Sequence, residues 1–287
     1  MFAITTDTGG DLPLEMLREH GVGLMSLHYT VEGQTYDAYH PMPDRDFYER
    51  MRGGAMPTTA QVNPDEARQV LEQALATHDE VLHIAFSSGL SGSCQSARIA
   101  AQELEEQNPG KRIVVVDSLA ASLGQGLLVH YALRLREQGR SLDETARWCE
   151  DNKLHIAHLF TVDDLFHLHR GGRVSRTAAV VGSVLGIKPV LHVDDAGHLV
   201  AVGKVRGRRR ALDELVRRMG EQTGGAVPDT VFISHGDCAE DADYVARRVQ
   251  QTFGTAPSRV EVIGPAIGAH CPMCREIREA ISASPVL

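Results

Sequence analysis

Ser87, Ser88, Ser91 and Ser93 fall within seven positions, interleaved with Gly89 and Gly92. The stretch follows an apolar run at 81–86 and precedes a helical pattern at 95–101, so it predicts a turn between a strand and a helix. The first backbone N–H groups of a helix have no intrahelical acceptor, and the helix dipole favours negative charge there. Hydroxyl donors in such a turn suit a small anion, for instance a carboxylate. The turn contains no lysine, which separates it from the Gly-x4-Gly-Lys-Ser/Thr phosphate loop. It comes close to a different chemistry as well. Gly89-Leu90-Ser91-Gly92-Ser93 matches the Gly-x-Ser-x-Gly nucleophile elbow except at its last position. A serine hydrolase built on Ser91 would need an acid and a histidine later in the chain, and Asp237 and His270 are the candidates.

Two other groups of residues could do chemistry. Cys271 and Cys274 form a Cys-x-x-Cys pair. It suits a redox dithiol, or half of a zinc site completed by His270, His235 or Cys238; a plain structural loop is the alternative. Lys204, Arg206, Arg208, Arg209 and Arg210 crowd five cations into 204–210, and Arg170 and Arg173 flank Gly171-Gly172. A charge run is commonly a solvated face. On a chain of net charge −9 it is also a local contrast that fits a docking surface. The same acidic balance argues against nucleic-acid binding through 204–210, as does a single Trp for base stacking.

These residues have to be positioned by a scaffold, and the pattern for one is clear. Apolar runs at 113–116, 231–233 and 260–263 read as strands, and helical patterns occupy 119–136 and 239–253. Continuous apolar strands alternating with helices predict a parallel sheet covered on both faces, with ligands beyond the C-terminal strand ends. The serine turn, Asp117-Ser118, His235 and the loop after Ile263 all fall at such ends. Residues 187–193, a turn at 194–198 and residues 199–205 predict a hairpin, hence a second, mixed α/β domain. The expected division is 1–155 and 156–287, with the last segment able to pack back on the first domain. A length of 287 residues accommodates two domains, and 43% hydrophobic residues suffice for their cores. There is no apolar run of the ~18 residues that span a bilayer, and the first residues lack the basic-then-apolar order of a signal peptide. Five cysteines, an odd number, suggest no disulfide framework. A cytoplasmic protein without stable membrane insertion is expected.

Several segments, taken in order, resemble the DegV family of bacterial fatty-acid-binding proteins. They are Thr6-Asp7 with Asp11-Leu12-Pro13, Pro57-Thr58-Thr59-Ala60-Gln61, the serine turn with Gln95-Ser96-Ala97, and Val116-Asp117-Ser118. Further along come Arg170-Gly171-Gly172-Arg173-Val174-Ser175, Ile187-Lys188-Pro189, Lys204-Val205-Arg206 and 264–270, which closes on Ala269-His270. The resemblance implies a two-domain α/β protein with one long-chain fatty acid in an apolar tunnel between the domains. It carries over to Thr59 and Ser88 as the groups holding the carboxylate, with Gly89, Ser91 and His270 beside them. It implies no catalytic residue, metal or cofactor, and a separate kinase that converts the presented acid to an acyl phosphate. Arg170, Arg173 and above all Arg206 are then expected to dock that kinase. Two departures stand out. The family's Thr-Ser-Gln-Pro is Thr59-Ala60-Gln61-Val62 here, and its Gly-Pro-Gly turn after the histidine is replaced by Cys271-Pro272-Met273-Cys274.

Overall fold

The computed structural model describes residues 1–163, 165–174 and 186–270, together with the backbone of 279–284. The chain opens with β1 (Ala3–Asp7), α1 (Leu14–Glu19), β2 (Gly23–Met25), β3 (His28–Val31), β4 (Gln34–Tyr36) and α2 (Asp44–Arg52). It continues through β5 (Thr58–Ala60), α3 (Pro64–Leu75), β6 (Glu80–Ala85), α4 (Ser93–Gln107), β7 (Arg112–Asp117), α5 (Leu123–Glu137) and α6 (Leu142–Asn152). Then come β8 (Ala157–Thr161), α7 (Phe166–Arg170), β9 (Ile187–Val193), β10 (Leu199–Arg206) and α8 (Arg208–Gln222). The last elements are β11 (Thr230–His235), α9 (Ala239–Phe253), β12 (Arg259–Val262), α10 (Pro265–Gly268) and β13 (Glu279–Ser284).

The first sheet has the order β2-β1-β6-β7, and every pairing in it is parallel. Its strands send alternate side chains to opposite faces. Ile4, Leu82 and Ile84 pack with Leu17, Leu127, Tyr131 and Ala146 on one side. Ala3 and Val81 pack with Leu71, Leu75, Ala97 and Leu104 on the other. This is the sheet covered on both faces that its continuous apolar strands predict. α3 starts at the residues that make a capping box: Asn63 Oδ1 accepts from the Glu66 N–H at 2.9 Å, and Glu66 Oε2 accepts from the Asn63 N–H at 2.8 Å.

The second sheet is mixed, with the order β10-β9-β8-β13-β11-β12. The predicted hairpin is present as the antiparallel pair β9–β10. β13 pairs antiparallel with both β8 and β11, a central strand that no apolar run announced. Val231 and Ile233 pack with Leu212 and Leu215 of α8 and Val245 of α9. Phe232, pointing the other way, joins the cluster of α5 and the first sheet. A small third sheet, β4-β3-β5, was also not expected; its strands are three or four residues long, too short for a clear alternation. It packs Tyr29 and Val31 on Phe47, Tyr48 and Met51. Ala266 and Ile267 of α10 pack in the α3–α4 cluster, so the chain returns to the first sheet after β12.

The helix predicted from 119 begins four residues later, at Leu123. Leu119 and Ser122 have φ of 50° and 52°, a left-handed backbone that cannot continue a right-handed helix. The turn between β9 and β10 docks on the serine turn: Ser87 Oγ donates to Gly197 O at 2.8 Å. Gly197 has φ +77°, and a Cβ there would overlap the Ser87 hydroxyl. We expect Gly197→Ala to lift the hairpin from the serine turn and destabilise the fold by about 1–3 kcal/mol, which a thermal melt would register as a drop of several degrees. An unchanged melting temperature would show that the contact holds nothing in place.

Candidate functional site

Where the two large sheets meet, beyond the C-terminal ends of β2, β6 and β7, lies a cleft walled by Leu27, Phe86, Leu90, Phe160, Leu168, Leu199, Ile263 and Ile267. Its empty space, counting the opening to solvent, is about 810 Å³. The wall is apolar apart from a few groups: Thr59, Gln61, Ser91, Ser122, His158, Thr161, Arg173 and His270.

One polar group is built from three distant segments. β5 pairs Thr59 opposite Tyr29, which fixes the threonine on the cleft wall. Thr59 Oγ1 lies 2.6 Å from His270 Nε2. Gln61 packs against the serine turn so closely that a Cβ at Gly92 would overlap its amide. The Val62 N–H donates to Ser93 Oγ at 3.1 Å, and Ser93 Oγ lies 3.0 Å from Ser91 Oγ. Arg173 enters from the chain after α7, with Nε donating to Leu90 O at 3.2 Å and a further bond from its guanidinium to Gly171 O. Burial pushes its pKa below the ordinary arginine value.

Several backbone donors of the serine turn are already engaged within it. The Ser88 N–H donates to Asp117 Oδ1, Gly89 to Ser87 Oγ, Leu90 and Ser91 to Ser87 O, and Ser93 to Ser91 Oγ. Ser87 and Asp117 consume these donors locally. Ser88 is exposed and outside the cleft lining. Gly89 faces the hairpin, where a Cβ would press on Ala196 O and Gly197 O. Of the residues expected at the carboxylate, Thr59, Ser91 and His270 therefore line the cleft, and Ser88 and Gly89 do not. Arg173 does line it, although its position beside Gly171-Gly172 suggested a surface role. Arg170 is exposed and reaches Pro57 O at 3.4 Å, and Arg206 is exposed at the end of β10. In the basic run, Arg208 is paired with Asp241 at 2.9 Å, and the Arg209 guanidinium lies 3.7 Å from the Tyr244 ring centre. That leaves Lys204, Arg206 and Arg210 to face solvent.

Among the described residues the groups of the hydrolase reading are not brought together. Ser91 pairs with Ser93, Asp237 is tied to Arg52, and His270 meets Thr59, so the three groups of a hydrolase triad take other partners. His235 Nδ1 accepts from the Cys238 N–H at 3.0 Å, a structural bond within its own loop. Cys271 and Cys274 lie outside the described residues, and among the described residues no three potential ligands converge on a metal position.

On the far side of Leu27 and Ala266 is a second hollow, bordered by Asp7, Asp11, Asp37, Asp44 and Glu261. Asp11 connects the two: its Oδ2 accepts from Ser122 Oγ at 2.6 Å on the cleft wall, and its Oδ1 accepts from the Gly264 N–H at 3.0 Å. Burial pushes its carboxyl up to about 8, against the opposing effect of those two bonds. Burial likewise raises Asp7 to about 6. Asp11 thus keeps its proton up to about pH 8 behind that wall, while hydroxyls, a histidine and an arginine line the other. The cleft thus has an apolar length with one anion-tolerant patch.

The fold is an α/β fold with a largely apolar cleft between its two large sheets. Residues 1–271 match the family model described as DegV, an uncharacterised protein family. The chain belongs to the DegV family. It is 39% identical over 271 residues to a DegV domain-containing protein of Clostridium perfringens, covering 94% of this chain and 93% of that one. A DegV family protein of Thermus thermophilus, whose structure is described as binding fatty acid, superposes with a TM-score of 0.88 at 30% identity over 99% of both chains. DegV of Bacillus subtilis, described as a fatty acid binding protein, superposes with a TM-score of 0.85 at 26% identity, also over 99% of both chains. The two-domain α/β architecture of these relatives is the one found here.

The buried carboxyls make a pH dependence. Between about pH 4 and about pH 8 the folded protein keeps a proton on Asp11 that the unfolded chain, with a carboxyl near 3.8, has released. The unfolded state then binds fewer protons, so this contribution to stability is complete at the acid end and is lost as pH rises through about 8. Relative to wild type, Asp11→Asn should gain stability steadily from about pH 5 to about pH 8 in denaturant titrations. A difference that stays constant with pH would rule out the raised carboxyl.

Proposed function

We propose that this protein binds one long-chain fatty acid in the cleft and presents its carboxylate to a partner kinase. The observation that carries the reading is an apolar cleft whose polar patch unites Thr59, Ser91 and His270. Membership of the family and the fatty-acid-binding relative at 30% identity support it. Each buried methylene contributes ~0.8 kcal/mol, so a long acyl chain supplies the affinity and the head group needs only orientation. Thr59, Ser91 and His270 orient the carboxylate through hydrogen bonds. Arg173 adds a positive field from close by, with two of its five N–H donors bonded to Leu90 O and Gly171 O. A carboxylate held by hydroxyls and not clamped by a guanidinium keeps an oxygen free to attack a phosphoryl group. The protein itself contributes no catalytic group in this reading. The exposed Arg206, with Arg170 and Lys204, forms the kinase-facing surface; Arg173 belongs to the cleft.

The decisive measurement is mass spectrometry of small molecules released on denaturing protein that was never delipidated. A near-stoichiometric fatty acid is expected; a protein that is empty and refuses added fatty acid refutes the reading. Thr59→Val should weaken binding roughly 10- to 100-fold, the cost of one hydrogen bond to a charged group. Arg206→Ala should leave binding intact and slow acyl phosphate formation by a fatty-acid kinase; equal rates would remove Arg206 from the docking surface.

A further inference from the structure

The segment that delivers His270 to the polar patch is gripped at one peptide group. The unit joining Ile263 to Gly264 is bonded at both poles. The Ile263 carbonyl accepts from the Tyr48 hydroxyl at 2.7 Å, and the Gly264 N–H donates to Asp11 Oδ1 at 3.0 Å. In a trans peptide these poles point in opposite directions, so Tyr48 of α2 and Asp11 of the turn after β1 hold the plane from two sides. The Ile263 N–H adds a third tie, donating to His235 O at 2.7 Å. Beyond this peptide the chain runs in one tight turn. Gly264 caps α10 and Pro265 fixes its first φ. The N–H groups of Gly268, Ala269 and His270 donate to the carbonyls of Gly264, Pro265 and Ile267 at 2.8–3.2 Å. Tyr48 also abuts the far end of the turn, where a Cβ on Gly268 would come within 2.7 Å of its hydroxyl.

The imidazole at the end of this turn has a narrow place to stand. Its Nε2 lies 2.6 Å from Thr59 Oγ1, and it lies so close to Gly171 that a Cβ there would overlap its Nδ1. A tilt of α10 would carry the ring off Thr59. Hydrogen bonds weaken steeply as their angle closes, so what His270 contributes at a head group depends on how α10 is aimed. Neither Asp11 nor Tyr48 lines the cleft, and any effect of theirs on a ligand passes through other residues. We propose that Asp11 and Tyr48 are positioning residues: through the Ile263–Gly264 peptide they aim His270 at the carboxylate of the bound acid.

This inference rests on the fatty-acid reading, and its test separates the two. Dissociation constants are measured at neutral pH for stearic acid and for octadecanol, which has the same chain length and no carboxylate. Asp11→Ala and Tyr48→Phe should each weaken stearic acid roughly 3- to 10-fold, part of the value of one hydrogen bond to a charged group, and change octadecanol by less than about twofold. In a His270→Ala background neither should weaken stearic acid further, because residues that act through one another are not additive. Asp11 keeps its proton at neutral pH. Asp11→Asn therefore adds no charge change, keeps an oxygen for the Gly264 N–H, and should restore most of what Asp11→Ala loses. Tyr48→Phe keeps the aromatic ring and leaves the bond between Asp11 and Ser122 in place, so it carries the test if the alanine variant does not fold. Equal losses for the acid and the alcohol would reduce both residues to a structural role and overturn the inference. So would losses that add to that of His270→Ala, or an asparagine variant as weak as the alanine one. A wild type that binds neither ligand overturns the fatty-acid reading and the inference together.

Discussion

The architecture depends on a single helix buried on nearly every side. α5 presents Leu127, Leu128, Tyr131, Ala132 and Leu135 to the interior and also buries Gly124, Gln125 and Gly126. A helix apolar around its whole circumference can exist in a soluble fold only between two layers. α5 packs on β1 and β6 of the first sheet and on β11 and β13 of the second. Its first turn has no side chains at Gly124 and Gly126, and there His158 and the Gly10 carbonyl come against it. Gln125 is the one polar residue in that turn with work for its amide: Nε2 donates to Thr6 Oγ1, Asp7 Oδ1 and Ile84 O at 3.0–3.2 Å. The wedge sets the separation of the sheets, and the cleft is what remains open above its N-terminal end.

That placement accounts for the distribution of polarity around the cleft. The loop that leads into α5 supplies Ala121 and Ser122 to the wall and passes the Ser122 hydroxyl to Asp11. The acidic hollow therefore lies behind the wall, where Asp7 and Asp11 are buried and accept from backbone N–H groups. The opposite wall is assembled from β5, the serine turn, the chain after α7 and α10. The Tyr48 hydroxyl, donating to Ile263 O at 2.7 Å, anchors the third sheet to the segment that carries His270. Thr59, His270 and Arg173 thus gather on one wall, and the Asp11 carboxyl lies behind the other.

In the serine turn the local signal gives the location, and the fold decides which side chain meets the cleft. Its spacing announces an anion site at a strand-to-helix junction, and the junction does border the cleft. Several of its N–H groups, however, are taken up by Ser87, Ser91 and Asp117, and its exposed serine, Ser88, stands outside the cleft lining. What reaches the cleft is the side chain of Ser91, held by Ser93. Arg173 is the converse: a residue beside a glycine pair looks solvated in sequence, yet folds inward onto the Leu90 carbonyl.

By itself the sequence determined the elements whose information is local. Continuous apolar runs specify the strands of the parallel sheet, Asn63 and Glu66 specify the start of α3, and the 194–198 turn specifies the hairpin. Ordered motifs indicated the family and, with it, Thr59 and His270. Only the tertiary structure decided which groups meet. Thr59 and His270 are 211 positions apart in the chain, and Asp11 and Gly264 are 253 apart. Local pattern carries no term for such pairs. Nor could it anticipate β13, whose pairing depends on two neighbours from other parts of the chain. Burial and hydrogen-bond satisfaction are properties of what surrounds a residue in space, and they come into being only when the two sheets close on α5.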